Sequence, residues 1–174
     1  MSTVASSGAK TPPRLLTGEE MAPALVELGI SHVVWLPDSV LGTWEQALLQ
    51  VESLQLIRVC REGEAWAIAA GLHIAGKRPL VIIQSTGLFE SGDALRNVLY
   101  DLKLPLYSLI GYRNYLIAES KDSAKTYCEP IVQAWGLDAV VLTSPTGPRT
   151  LVEHFRRCEQ AGRPGVGLVA EGKG

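Results

Sequence analysis

Six short apolar runs, each separated from the next by a helix-like segment, leave this chain few ways to fold. In "PLVIIQ" (79–84) no polar residue interrupts Leu80 to Ile83. A strand with one wet face alternates apolar and polar side chains, whereas an unbroken run marks a strand covered on both faces. Related runs are "HVVWL" (32–36), "LQLIRVC" (54–60), "PLYSLIG" (105–111), "DAVVL" (138–142) and "GVGLVA" (165–170). The segments between them read as helices over 40–50, 62–75, 91–102, 126–135 and 146–161. A first helix precedes all of them. Thr17 and Glu20 have the capping-box spacing, Met21, Leu25 and Leu28 recur at helical intervals, and Gly29 stands where a helix ends. Strands alternating with helices predict an α/β domain: a doubly wound, mostly parallel six-stranded sheet with helices on both faces.

Composition narrows the function classes. A chain of 174 residues, 47% hydrophobic and 20% charged, suits one domain with a real core. The formal net charge of −2 argues against partners held by charge alone, such as nucleic acid or a membrane surface. No apolar run approaches the ~20 residues that span a bilayer. Cys60, Cys128 and Cys158 are far apart and lack metal-site spacing, as expected of reduced thiols in a cytoplasmic protein. The small, polar start "MSTVASSGAKTPP" reads as a flexible arm over 1–13, with the domain over 14–170 and a tail over 171–174.

Ligands of such sheets bind outside the carboxyl ends of the strands. Pro37, Asp38 and Ser39 follow the first run. Arg61 to Glu64 follow the second, Gln84, Ser85, Thr86 and Gly87 the third, and Gly111 to Asn114, including Arg113, the fourth. Each also has an ordinary reading. Asp38 and Ser39 are good N-caps. Ser85 and Thr86 also suit a helix start, and Arg113 suits a solvated loop. His32, His73 and His154 have no nucleophile motif around them and read as structural. No GxSxG, Walker A or GxGxxG motif is present.

The helix after Glu62 stands out. Residues 65–76, "AWAIAAGLHIAG", contain no acidic or basic residue other than His73. A helix apolar all round is buried all round, and a domain of this size has little room for that. A partner subunit is the expected cover. At 100° per residue Glu62 aligns with Ala65, Ala69 and Leu72, and Glu64 points the opposite way. Either carboxylate also suits the positive end of a helix, so periodicity does not choose between them.

Four motifs in order carry a resemblance: "LPDSVLG" (36–42), "REGEAWAIAAGLHIAG" (61–76), "KRPLVIIQSTGL" (77–88) and "LIGYR" (109–113). Over about residues 15–142 the chain resembles the pyrimidine-binding (PYR) domain of thiamine diphosphate-dependent 2-oxo acid decarboxylases. The branch it resembles most contains sulfopyruvate decarboxylase alpha subunits and phosphonopyruvate decarboxylases. The resemblance implies that Glu62 is catalytic and hydrogen-bonds N1′ of the cofactor's aminopyrimidine. It implies that Pro37 and Gln84 to Gly87 line the pyrimidine pocket, and that Asp38 and Ser39 face the reacting carbon. It places Arg113 as a clamp on the anionic end of a small 2-oxo acid.

The resemblance also implies what is held elsewhere. Relatives bind the diphosphate through Mg²⁺ on a PP domain with a GDG…N motif. Here only "GDA" (92–94) occurs, inside an expected helix. The metal and diphosphate site is therefore expected on a partner beta subunit, in a hetero-oligomer with two or more copies. Two segments depart from the branch. "QSTGLFE" (84–90) puts Phe89 and Glu90 where a small residue and an amide are usual, and "ESK" (119–121) lacks a histidine. A related carboligase, another oxo-acid decarboxylase, or a degenerate PYR domain that only binds or regulates a partner stand as alternatives.

Overall fold

The computed structural model describes residues 14–172, so the expected arm over 1–13 lies outside the described residues. Six parallel strands form one sheet in the order β2-β1-β3-β4-β6-β5. They are β1 His32–Trp35, β2 Gln55–Arg58, β3 Pro79–Gln84, β4 Tyr107–Tyr112, β5 Asp138–Leu142 and β6 Gly165–Ala170. The registers run without offset along shared edges, with Val34 beside Val81 and Ile83 beside Ile110. The doubly wound α/β architecture expected from the unbroken apolar runs is present.

Alternate strand residues feed two cores. Val33, Trp35, Leu80, Ile82 and Leu109 face one side, under α1 (Gly18–Glu27), α2 (Glu45–Leu49) and α7 (Gly147–Gln160). Val34, Val81, Ile83 and Ile110 face the other, under α3 (Glu62–Ile74), α4 (Ser85–Glu90), α5 (Gly92–Arg96) and α6 (Ser123–Ala134). The two-residue period of a strand is thus used in full, one set of side chains per layer. No described helix is long and apolar enough to cross a membrane.

The starts of α1 and α6 are capped by the side chains of their own N-cap residues. Thr17 and Glu20 close the capping box of α1: Glu20 N–H donates to Thr17 Oγ1 at 3.3 Å and Thr17 N–H to Glu20 Oε2 at 3.0 Å. Gly29 follows α1 at φ 67°, a left-handed position that suits glycine. Asp122 caps α6 through Ala124 N–H at 2.9 Å.

Two expected helices differ. The segment 40–50 opens as a 3-10 turn, Leu41–Trp44, before the short α2. Asp38 Oδ1 takes the N–H groups of both Val40 and Leu41 at 2.7 Å, which tightens the chain into a turn there. The helix expected from 91 begins six residues earlier. Ser85 to Gly87 are the first turn of α4 rather than a loop, and α5 continues as a π-helical turn, Asn97–Asp101. Ser-Thr-Gly reads locally as turn chemistry, but Leu88 and Leu95 are fully buried and hold the segment helical against the sheet.

Candidate functional site

The strand order reverses beside β1 and β3, which opens a crevice at their carboxyl ends. A cavity of about 730 Å³ lies there. Its walls include Thr17, Asp38, Ser39, Gln84, Arg113 and Glu171. Four of the candidate residues from sequence, Asp38, Ser39, Gln84 and Arg113, therefore meet in one place.

Their positions follow from the strands that carry them. Asp38 leaves β1 and serves two ends at once. Its Oδ1 caps the following turn, and its Oδ2 accepts from Gln84 Nε2 at 2.7 Å. Gln84 ends β3, and its amide is fixed on the other side by Thr86 Oγ1, which donates to Oε1 at 3.1 Å. Arg113 leaves β4 and pairs with Asp122 through Nε at 2.8 Å. The helix-capping Ala124 N–H, then Asn114 and Arg113, hold the Asp122 carboxyl below its usual range. Among the described residues no hydrogen bond engages the terminal nitrogens of Arg113, whose side chain is 48% exposed and faces the cavity.

Glu62 sits apart from that cavity, at the start of α3. It packs on the first turn of α4 so closely that a Cβ on Gly87 would lie 2.3 Å from Glu62 Cγ and 2.6 Å from Oε1. Only glycine lets the carboxyl lie there. Glu62 is half-buried and accepts no hydrogen bond from the described residues. Glu64 is different. Its Oε2 accepts from Cys60 N–H at 3.2 Å, a helix-start role. Glu90 completes that end: it accepts Gly63 N–H at 2.9 Å and pairs with Arg61, whose Nε lies 3.0 Å away. Arg61 first, and then Gly63, keep the Glu90 carboxyl below its usual range. The departure at Glu90 thus supplies the cap that α3 lacks from its own N-cap residue, Arg61.

The face carrying Glu62 is not left for another subunit. Ala65, Trp66 and Ala69 are buried in this chain's own core. The arc left open holds Ala67, Gly71 and Ile74, the last 69% exposed. The apolar helix therefore divides into a face covered by its own sheet and an opposite arc open to a partner. Glu62 belongs to the first, contrary to the expectation that a partner covers its side.

Pro37, Ser85 and Thr86 do not line the main cavity. Pro37 is half-buried; Ser85 is buried with an unpartnered Oγ; Thr86 is exposed and reaches the cavity only through Gln84. In "GDA" (92–94), Asp93 is 80% exposed on α5 and pairs with Arg96 at 2.9 Å.

Asn114, named with Arg113 at the end of the fourth run, also lines the cavity, in a left-handed conformation at φ 57°, and donates to Asp122 at 2.7 Å. One residue was missed from sequence. Glu171, set aside as tail, is 2% exposed and lines the cavity too. The strand-end rule that marked the first four strands marks Glu171 equally well when extended to β6.

Fold and edge together define a doubly wound α/β domain with a polar crevice at its carboxyl edge. No family model matches the chain. By sequence it is a homologue of proteins named sulfopyruvate decarboxylase and phosphonopyruvate decarboxylase. It is 26% identical over 98 residues to the sulfopyruvate decarboxylase subunit alpha of Methanococcus maripaludis, a match covering 56% of this chain and 59% of that one. It is 37% identical over 121 residues to the sulfopyruvate decarboxylase of Methanosarcina acetivorans, covering 68% and 31%. To the phosphonopyruvate decarboxylase of Streptomyces hygroscopicus it is 26% identical over 99 residues, covering 57% and 25%. The chain thus spans from a quarter to under two thirds of the relatives it matches.

Proposed function

We propose that residues 14–170 form the PYR domain of a cytoplasmic alpha subunit, in a heteromeric thiamine diphosphate-dependent decarboxylase of small anionic 2-oxo acids such as sulfopyruvate or phosphonopyruvate. The observation that carries the reading is the contrast between two glutamates. Glu64 is tied back to the helix start, while Glu62 is held against Gly87 with its carboxyl unclaimed.

That carboxyl fits an aminopyrimidine. It is half-buried, it has no competing donor among the described residues, and the helix start beneath it has been cleared of a Cβ. Glu62 would hold the proton at the ring nitrogen N1′, and Gln84 to Gly87 would flank the ring. When bound, thiamine diphosphate supplies a thiazolium that accepts the electron pair left as carbon dioxide departs. The remaining work falls to this chain's own side chains. Asp38 and Ser39 face the cavity where the 2-oxo acid sits. Arg113, anchored through Nε, offers its terminal nitrogens to a carboxylate, sulfonate or phosphonate. The Mg²⁺ and diphosphate site belongs to a PP-domain beta subunit. Three relatives are themselves named subunit alpha. The exposed Asp93 of "GDA", paired with Arg96, supports no metal role here.

The test is carbon dioxide release by the chain co-expressed with its beta subunit, comparing Glu62→Gln with Glu64→Gln. The expected result is a loss of kcat of about 10²–10⁴-fold for the first and little change for the second. Equal activity of the two variants would overturn the assignment.

A further inference from the structure

Glu171 follows β6 and is 2% exposed, yet it lines the cavity beside Asp38, Gln84 and Arg113. Its Oε2 has one long contact, Gln84 Nε2 at 3.4 Å. Its Oε1 is buried with no partner among the described residues. It lies against bare backbone in β4: a Cβ on Gly111 would sit 2.1 Å from Oε1. Asp38 stands on the other side of the same amide. It accepts Gln84 Nε2 at 2.7 Å together with the N–H groups of Val40 and Leu41, also at 2.7 Å. One amide thus stands between two carboxyls and favours Asp38.

Two neighbouring carboxyls, one of them out of water, do not both ionise easily; they keep a proton between them. Asp38 is supplied with three donors and Glu171 with hardly one, so the proton belongs on Glu171. Two other charged or titratable groups stand near it. Arg113, after β4, pairs with Asp122 through Nε, and its pull against the proton is outweighed by the burial of Glu171 and by Asp38. Cys128, on α6, is pushed up to about 12 by burial and stays neutral. Burial first, and then Asp38, lift Glu171 from 4.5 to about 8, against the opposing pull of Gln84 and Arg113.

We propose that Glu171 and Asp38 form a one-proton acid pair that delivers the proton consumed by the reaction in this cavity. This rests on the decarboxylase reading. When a 2-oxo acid loses carbon dioxide, the carbon–carbon bond breaks and its electron pair must take up a proton. A new C–H bond forms as the O–H bond of the pair breaks, the aldehyde leaves, and water restores the proton to the pair. The net change is one 2-oxo acid anion and one proton to one aldehyde and one carbon dioxide. No oxidant or reductant is needed.

The shared proton is tested without turnover, by ¹³C NMR of the full chain labelled at its glutamate carboxyls. One resonance is expected to titrate near 8, to vanish in Glu171→Gln, and to shift to a lower midpoint in Asp38→Asn. Titration of every glutamate in the ordinary carboxylate range would overturn the pair. Delivery is tested in the assembly with the beta subunit. Glu171→Gln is expected to lower kcat by about 10²–10⁴-fold, leave KM little changed, and remove the alkaline limb of the kcat profile. An unchanged kcat and profile would overturn delivery. Absence of carbon dioxide release by the wild-type assembly would overturn the decarboxylase reading and delivery with it, while the NMR titration decides the shared proton separately.

Discussion

The two edges of the sheet use similar side chains to opposite ends. At the amino edge, Asp138 starts β5 and is surrounded by partners: His154 Nε2 at 3.2 Å, Arg163 at 2.6 Å and Arg157 at 3.5 Å. His154 is buried, and its Nδ1 lies 2.6 Å from Tyr107 Oη. At the carboxyl edge, Glu171 has one long contact and an unpartnered oxygen, and Glu62 has no hydrogen bond from the described residues. Burial costs a carboxyl least when it is fully paired. The amino edge takes that course and binds β4, β5 and α7 together. The carboxyl edge supplies Asp38 with three donors but leaves Glu62 and Glu171 short of partners among the described residues, which on the proposed function keeps those two carboxyls for chemistry.

The metal-ligand types at the amino edge belong to the same contrast. Ligand-type atoms of Asp138, His154 and Cys158 lie within 4.8 Å of one another. Both His154 nitrogens are engaged and Asp138 faces two arginines, so the cluster reads as a structural knot. Burial pushes the His154 ring below its usual range, against the pull of Asp138.

The contrast can be broken at either edge. His154→Ala removes contacts to Tyr107 and Asp138 and opens a hole. It is expected to cost about 3 kcal/mol in denaturant unfolding and to leave turnover per folded molecule unchanged. A loss of turnover at full folding would join the amino edge to the site. Gly87→Ala acts in the opposite sense. Its Cβ would meet Glu62 Cγ at 2.3 Å, so Glu62 must move. The expected stability cost is ~1–3 kcal/mol, with a fall in kcat of tenfold or more for a misplaced acid–base group. Unchanged kcat would show that the seat of Glu62 does not matter.

The pH dependence of stability separates the edges in another way. Glu171 is raised in the folded chain, so the folded state binds the proton more tightly than the unfolded one. Its contribution is full below 4.5 and is lost as pH rises toward about 8. Asp138 is lowered by His154 and its arginines, against its burial, so its contribution is present above 3.8 and is lost as pH falls below that. Between 4.5 and about 8, denaturant unfolding should therefore lose its falling slope in Glu171→Gln, while the acid slope and the slope above 9 that buried Cys128 contributes remain. Persistence of the slope between 4.5 and about 8 in that variant would contradict the buried-acid reading.

A smaller effect is expected on the open arc of α3. A Cβ on Gly71 meets nothing within 4 Å. Gly71→Ala should stabilise the isolated chain by ~0.5–1 kcal/mol through helix propensity. Weaker association of that same variant with the beta subunit would mark the arc as the contact surface.

How much of this the sequence shows depends on how local each signal is. The six strands are legible because burial on both faces writes an unbroken apolar run, as in Leu80 to Ile83. The capping box at Thr17 is legible because its partners lie three residues apart. The start of α4 is legible only in part: Ser85 and Thr86 suit a helix start, but Gly87 favours a turn, and packing of Leu88 and Leu95 holds the segment helical. The place of Glu171 just after a strand is legible, but its surroundings are not, because they are a carboxyl brought from residue 38 and bare backbone from residue 111. Periodicity separates Glu62 from Glu64 but does not say which neighbour each one meets. Gly87 and Cys60 supply that answer.

On the proposed function, this chain would carry the pyrimidine half of a site whose metal and diphosphate half belongs to another chain. Carbon dioxide release from sulfopyruvate, phosphonopyruvate and pyruvate, with thiamine diphosphate and Mg²⁺, measures this directly when the purified chain is assayed alone and then with its beta subunit. The expected result is no turnover alone and turnover of at least one anionic 2-oxo acid on addition of the second chain. Full turnover by this chain alone would contradict the claim.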